Sequence, residues 1–204
     1  PKEVGGMSIE GQGGPDPFGY RWIDSFEPNG PQYVWNDIST NPNAQNITNN
    51  FTPNKDDGYQ TVALGITFPF YGTNYTTAYL STNGFLSFAA LTSSYFTNAS
   101  IPSTALPIAI IAPFWDDLDG RTQGTVHVLR ESNKVTIQFT NWQKYNATGS
   151  LTFQLVLFSS GRIMIYYNNM NAALNSATVG VENVQGTVGL QEVYNTNYVQ
   201  NNMA

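Results

Sequence analysis

Residues 108–120 read I-A-I-I-A-P-F-W-D-D-L-D-G, a nearly unbroken apolar run that stops abruptly in three carboxylates. An apolar segment of this length, with β-branched residues and a proline, suits a strand buried on both faces better than a helix. Such a strand needs cover on each side, which points to a layered β fold. Asp116, Asp117 and Asp119 then stand at the strand's end. They are the densest charge in the chain and admit three readings: a cation site, a catalytic pair, or a solvated turn that stops the strand.

Composition supports the same fold class. Charged residues are 11% and aromatics 14%, and much of the balance is Asn, Thr, Ser and Gly, a mixture that suits strands and turns. A length of 204 residues fits one undivided all-β domain, and no long amphipathic helix pattern occurs. The expected architecture is an antiparallel β-sandwich, jelly-roll-like, with little or no helix.

Several function classes drop out at this level. A net charge of −6 with only eight Lys and Arg, scattered along the chain, leaves no patch for nucleic-acid phosphates. Without cysteine there is neither a disulfide framework nor a thiolate metal site. No apolar run approaches the roughly 20 residues of a membrane span. A start at Pro1 rather than Met suggests a secreted protein whose leader has been removed. Asn46, Asn50, Asn74, Asn98 and Asn146 open Asn-x-Ser/Thr sequons and are candidate glycosylation sites.

Residues 1–19 carry many glycines and few apolar side chains, too few to pack a core. They read either as a loose terminus or as an arm whose Val4, Met7 and Ile9 anchor on another subunit's sheet edge. The remainder, 20–204, reads as one sandwich domain. Two similar stretches follow the arm, Tyr20-Arg-Trp22-Ile-Asp24 and Tyr33-Val-Trp35-Asn-Asp37, separated by Pro-Asn-Gly-Pro. Period-2 spacing predicts that they pair as a hairpin, followed by a loop to residue 58. Beyond it strands are predicted at 59–70, 75–80, 84–88, 125–130, 134–139, 151–158, 162–167, 177–182 and 187–193, with a longer loop at 89–107. In the 151–158 strand Leu151, Phe153, Leu155 and Leu157 form one apolar face.

Five segments carry a family resemblance. They are I-T-F-P-F-Y-G at 66–72, L-S-T-N-G-F-L-S-F at 80–88, I-A-P-F-W-D-D-L-D at 111–119, F-Q-L-V-L-F at 153–158, and V-G-V-E-N at 179–183 leading to G-T-V-G-L-Q at 186–191. In this order and spacing, residues 59–204 resemble the nidogen-like extracellular β-sandwich modules of secreted bacterial and archaeal proteins. The resemblance implies an extracellular, non-catalytic module used in adhesion or assembly. In such modules the segment resembling 198–204 continues into a further apolar strand, whereas this chain stops at Ala204. An open sheet edge or groove is therefore expected, which the glycine-rich arm of a neighbouring copy would cover.

Catalytic chemistry finds little purchase. There is no Gly-x-Ser-x-Gly elbow, and the single histidine, His127, lies in an alternating strand where a structural role is expected. A glycosidase needs two carboxylates about 5–10 Å apart across a cleft, and Glu131, Glu182 and Glu192 fall in ordinary strand and turn contexts. No cofactor is required. Ca²⁺ at Asp116, Asp117 and Asp119 remains a candidate, since Asp117-x-Asp119-Gly120 has part of a calcium-loop pattern but not its distal Glu. The expected function is thus a secreted, non-enzymatic subunit. It would polymerise with other copies of itself into a filament or surface layer by donating its N-terminal strand. The competing expectation is an adhesion module, acting as a monomer or as part of a larger secreted protein, that holds Ca²⁺, or a glycan stacked on Trp22, Trp35 or Trp142.

Overall fold

The computed structural model describes residues 11–204 and shows two antiparallel sheets packed face to face. The first runs, in spatial order, β14 (Gly189–Tyr194), β13 (Thr178–Glu182), β7 (Ile110–Trp115), β6 (Leu86–Ser87), β5 (Thr73–Ser81) and β4 (Tyr59–Phe70). The second runs β12 (Ile163–Asn171), β11 (Ser150–Phe158), β10 (Lys134–Lys144), β9 (Thr125–Arg130) and β3 (Gln45–Asn46), with β8 (Leu118–Asp119) paired on β10. A separate ladder joins β1 (Gln12–Gly13) to β2 (Trp22–Ile23). One 3-10 turn, Thr48–Asn50, is the helical element among the described residues, and none of their helices could cross a membrane.

The core follows from side-chain alternation. In β4, Val62, Leu64, Ile66, Phe68 and Phe70 point inward while Thr61, Ala63, Gly65 and Thr67 are exposed, as an edge strand with one wet face requires. Leu151, Phe153, Leu155 and Leu157 of β11 meet them across the sandwich. The all-β sandwich expected from sequence is therefore the fold.

All six residues of β7 are buried, in keeping with a central strand covered on both sides. Ile111 and Phe114 join the core between the sheets. Ile110, Ala112 and Trp115 form a second cluster with Phe85, Leu91 and Ile101, sealed by the 89–107 loop. That loop is pinned where the Trp115 indole donates to the Tyr95 carbonyl at 2.7 Å. Pro113 has no N–H to give, and the β7–β13 ladder slips between Thr178 and Gly180, beside it. Its carbonyl accepts the Tyr167 hydroxyl at 2.6 Å, tying the two sheets together.

The predicted Trp hairpin does not form. Trp22–Ile23 pairs with Gln12–Gly13, so residues 11–19 belong to the fold rather than to an arm. Asp16 holds this segment: one carboxylate oxygen accepts the amides of Phe18, Gly19 and Tyr20, and the other accepts the Tyr71 hydroxyl. Residues 33–38 instead run as a strap over the outer face of the second sheet. Two buried glutamines supply the bonds that a partner strand would have given. Gln138 accepts from the Ile38 amide at 3.0 Å and donates to Asp37 at 2.7 Å, while Gln154 donates to the Asn36 carbonyl at 2.7 Å. The anchors predicted for the arm, Val4, Met7 and Ile9, lie outside the described residues.

Candidate functional site

The acidic rim at the end of β7 comes with its own cations. Asp116 accepts from Lys144 at 2.7 Å and from the Ser176 hydroxyl at 2.9 Å. Asp119 is bound by both forks of the Arg121 guanidinium, which also reaches Asp56 at 2.9 Å. Burial pushes the Asp119 carboxyl up, but the hydrogen bonds and charge of Arg121 outweigh it and hold the group below its ordinary range. Among the described residues Asp117 has no such cation, and burial followed by Asp57, Asp56, Asp116 and Asp119 raises it to about 6. Among the described residues no group of three or more His, Asp or Glu is arranged to hold a metal ion. Gly120 has a packing reason of its own: a Cβ there would run into the Trp142 ring.

The three tryptophans do not form a platform. Trp142 is 0% exposed, packed against Phe51 and Phe139, with its N–H donated to the Thr82 carbonyl at 3.0 Å. Its place in the proposed ligand platform is therefore withdrawn, because a ring sealed in the core cannot stack on a sugar. Trp35 sits half-buried on the strap, and Trp22 half-buried with its ring edge-on to Tyr198. His127 is buried on β9, and burial lowers its pKa. Among the sequons Asn46, Asn50, Asn74 and Asn146 are exposed, whereas the Asn98 amide nitrogen is spent on Thr178 and Asn195 at 2.9 Å each.

A groove of about 470 Å³ lies at the open side of the sandwich. One wall is β12. Tyr167 exchanges both backbone hydrogen bonds with Met203, at 2.9 and 3.3 Å, on the strand edge facing away from β11. Because alternate residues of a strand turn their N–H and C=O to the same side, Ile165 and Ile163 present theirs along the same edge. Among the described residues nothing pairs with them there. The opposite wall is the segment from Tyr20 to Asp24. The amide of Ser25 donates to the Ala204 carbonyl at 2.8 Å, while on its other side the Asp24 amide donates to Gly11, also at 2.8 Å.

Met203 and Ala204 are therefore wedged between Tyr167 and Ser25, filling one end of a slot that is one strand wide. Beyond them no described residue pairs along the slot. Its floor is made by Val179, Val181, Leu190 and Glu192, and Asn29, Gly30 and Pro31 line it further. Glu192 makes no hydrogen bond among the described residues, and burial, with a contribution from Asp24, raises its pKa to about 8. In the sequence Glu192 has the context of an ordinary strand residue. No sequence signal marks it: the β13–β14 ladder pairs Gln191 and Val193 with the adjacent Gly180 and Val179, so Glu192 is the extra residue at a register shift, which alternation does not reveal.

The family model described as NIDO related matches residues 32–204. Alpha-tectorin of Mus musculus is 33% identical over 137 residues, which are 61% of this chain and 6% of that protein. Alpha-tectorin of Homo sapiens is 32% identical over the same length and shares. The chain thus spans about 6% of the length of these curated relatives. No solved structure matches it.

Proposed function

The chain belongs to the NIDO-related family of extracellular modules, and from that premise we propose that it is a non-enzymatic structural unit whose groove captures a strand from a second copy. The observation that carries this reading is the slot between β12 and residues 20–25, already occupied at one end by Met203 and Ala204. Added strands gain affinity from main-chain hydrogen bonds and specificity from alternate side chains. The free edge of Ile163 and Ile165 offers the first, and Val179, Val181 and Leu190 offer apolar contacts for the second.

Residues 1–10, with Val4, Met7 and Ile9, are the proposed donor. Gly11 pairs on the side of Asp24 that faces away from the slot, whereas Ser25 faces Ala204 within it. To reach its own slot the arm would have to cross the segment from Tyr20 to Ser25, so a neighbour's slot is the more direct acceptor. Passing a strand from each copy to the next does not close on itself and generates a filament. The test removes residues 1–10 and leaves β1 intact. The truncated protein is expected to run as a monomer by size exclusion, with no filaments in negative stain. Polymerisation without the arm would rule out this donor.

A further inference from the structure

The groove holds a carboxyl that has no partner among the described residues, and it sits where an incoming strand must pass. Glu192 lines the slot from β14 together with Leu190, at the register shift where Gln191 and Val193 pair with adjacent residues of β13. Among the described residues, the groups around it offer no cation. From the N-terminal segment comes Asp24, whose carboxylate is occupied by the amides of Phe26 and Glu27 and by the Tyr198 hydroxyl. The C-terminal segment contributes Tyr198, with Glu27 beyond it, and β12 contributes Tyr167, whose hydroxyl is donated to Pro113. The two arginines on the groove are exposed and engaged elsewhere: Arg21 contacts the Gly14 carbonyl, and Arg162 lies over the Phe158 ring.

A strand laid in the slot strips the remaining water from Glu192, and an ionised carboxylate sealed there has nothing to replace that water. Resting on the strand-acceptor reading above, we infer that the groove takes its strand with Glu192 as the neutral acid, so that strand capture is coupled to uptake of one proton at this carboxyl. The sign follows from linkage. In the empty groove the carboxyl gives up its proton as pH rises through about 8, while in the filled groove it retains it to higher pH. Capture is therefore strongest below that value and weakens above it, by up to about tenfold per pH unit.

The experiment titrates the full chain into a fluorescent peptide of residues 1–14 and follows anisotropy from pH 6 to pH 9. The peptide is N-acetylated, so its own amino group does not titrate in that range. Wild type is expected to bind evenly below pH 7 and several-fold more weakly at pH 9, while Glu192→Gln binds at every pH as tightly as wild type does at pH 6. Calorimetry of wild type at pH 9 in two buffers of different ionisation heat provides a check independent of the variant, with about one proton taken up per peptide bound. Identical pH profiles for wild type and variant, zero proton uptake, or affinity that rises with pH through an ion pair to Lys2 would each overturn the coupling while leaving strand capture standing. Absence of peptide binding at every pH would overturn both.

Discussion

Trp142 and Gly120 show how much at the rim of β7 is decided by single atoms. The indole is wholly buried, its edge lies against the Gly120 backbone, and its N–H reaches across to the Thr82 carbonyl. Gly120→Ala would place a methyl inside the ring's volume, and neither the indole nor β8 has room to retreat. Overpacking of this kind costs about 1–3 kcal/mol, so the variant is expected to melt several degrees lower than wild type. An unchanged Tm would mean that the ring is less constrained than its packing indicates. The sequence shows Asp117-x-Asp119-Gly120 but not the tryptophan above it, and for that reason a glycine serving packing reads as a calcium-loop glycine. It equally conceals that Lys144 and Arg121 already neutralise Asp116 and Asp119. A partner can come from the adjacent turn, as Arg121 does, or from a strand far along the chain, as Lys144 does, and only the folded chain shows which does.

At the scale of elements, what could be read in advance was whatever depends on local alternation. The inward row from Val62 to Phe70, the apolar face of β11 and the two-sided burial of β7 are properties of a few consecutive residues, and the period-2 pattern reports them directly. Pairing is another matter. Tyr20-Arg-Trp22 and Tyr33-Val-Trp35 have matching patterns, yet alternation says which face a side chain takes and not which strand lies beside it. Residues 33–38 went to the outer face of the second sheet because Gln138 and Gln154, bonded to each other, offer it three hydrogen bonds there. Gln138 is the centre of this arrangement, serving Ile38, Asp37, Thr140 and Gln154 at once. Gln138→Ala should leave the buried Ile38 amide and one N–H of the buried Gln154 side chain without partners, at about 1–3 kcal/mol for each one not rescued by water. Limited proteolysis is the sensitive readout: cleavage within 33–41 should appear early in the variant, well before the sheets themselves are cut. If the strap stays protected, its contacts through Tyr33 to Asn168 and Tyr166 hold it without the glutamines.

For the molecule as a whole, the groove is assembled from residues 20–25, 163–167 and 203–204, segments that nothing in the sequence marks as neighbours. The nidogen-like resemblance led to the expectation of an open edge, but its walls, its width and the carboxyl on its floor required the fold. The absence of cysteine in this chain turns that geometry into a direct experiment, since any disulfide must come from introduced thiols. A strand in the slot would lie beside Ile165, with the Cα separation of neighbouring strands, about 4.5–5.5 Å, inside the range a disulfide spans. Pairing Ile165→Cys with Met7→Cys in one variant, and with Ile9→Cys in another, samples two donor registers that place a side chain on the same face. At least one double variant should give a ladder of covalent oligomers on a non-reducing gel, and the corresponding single variants should not. A fast-migrating monomer band instead of a ladder would mean that each arm fills its own slot, and the filament reading would then fail even though the groove had captured a strand.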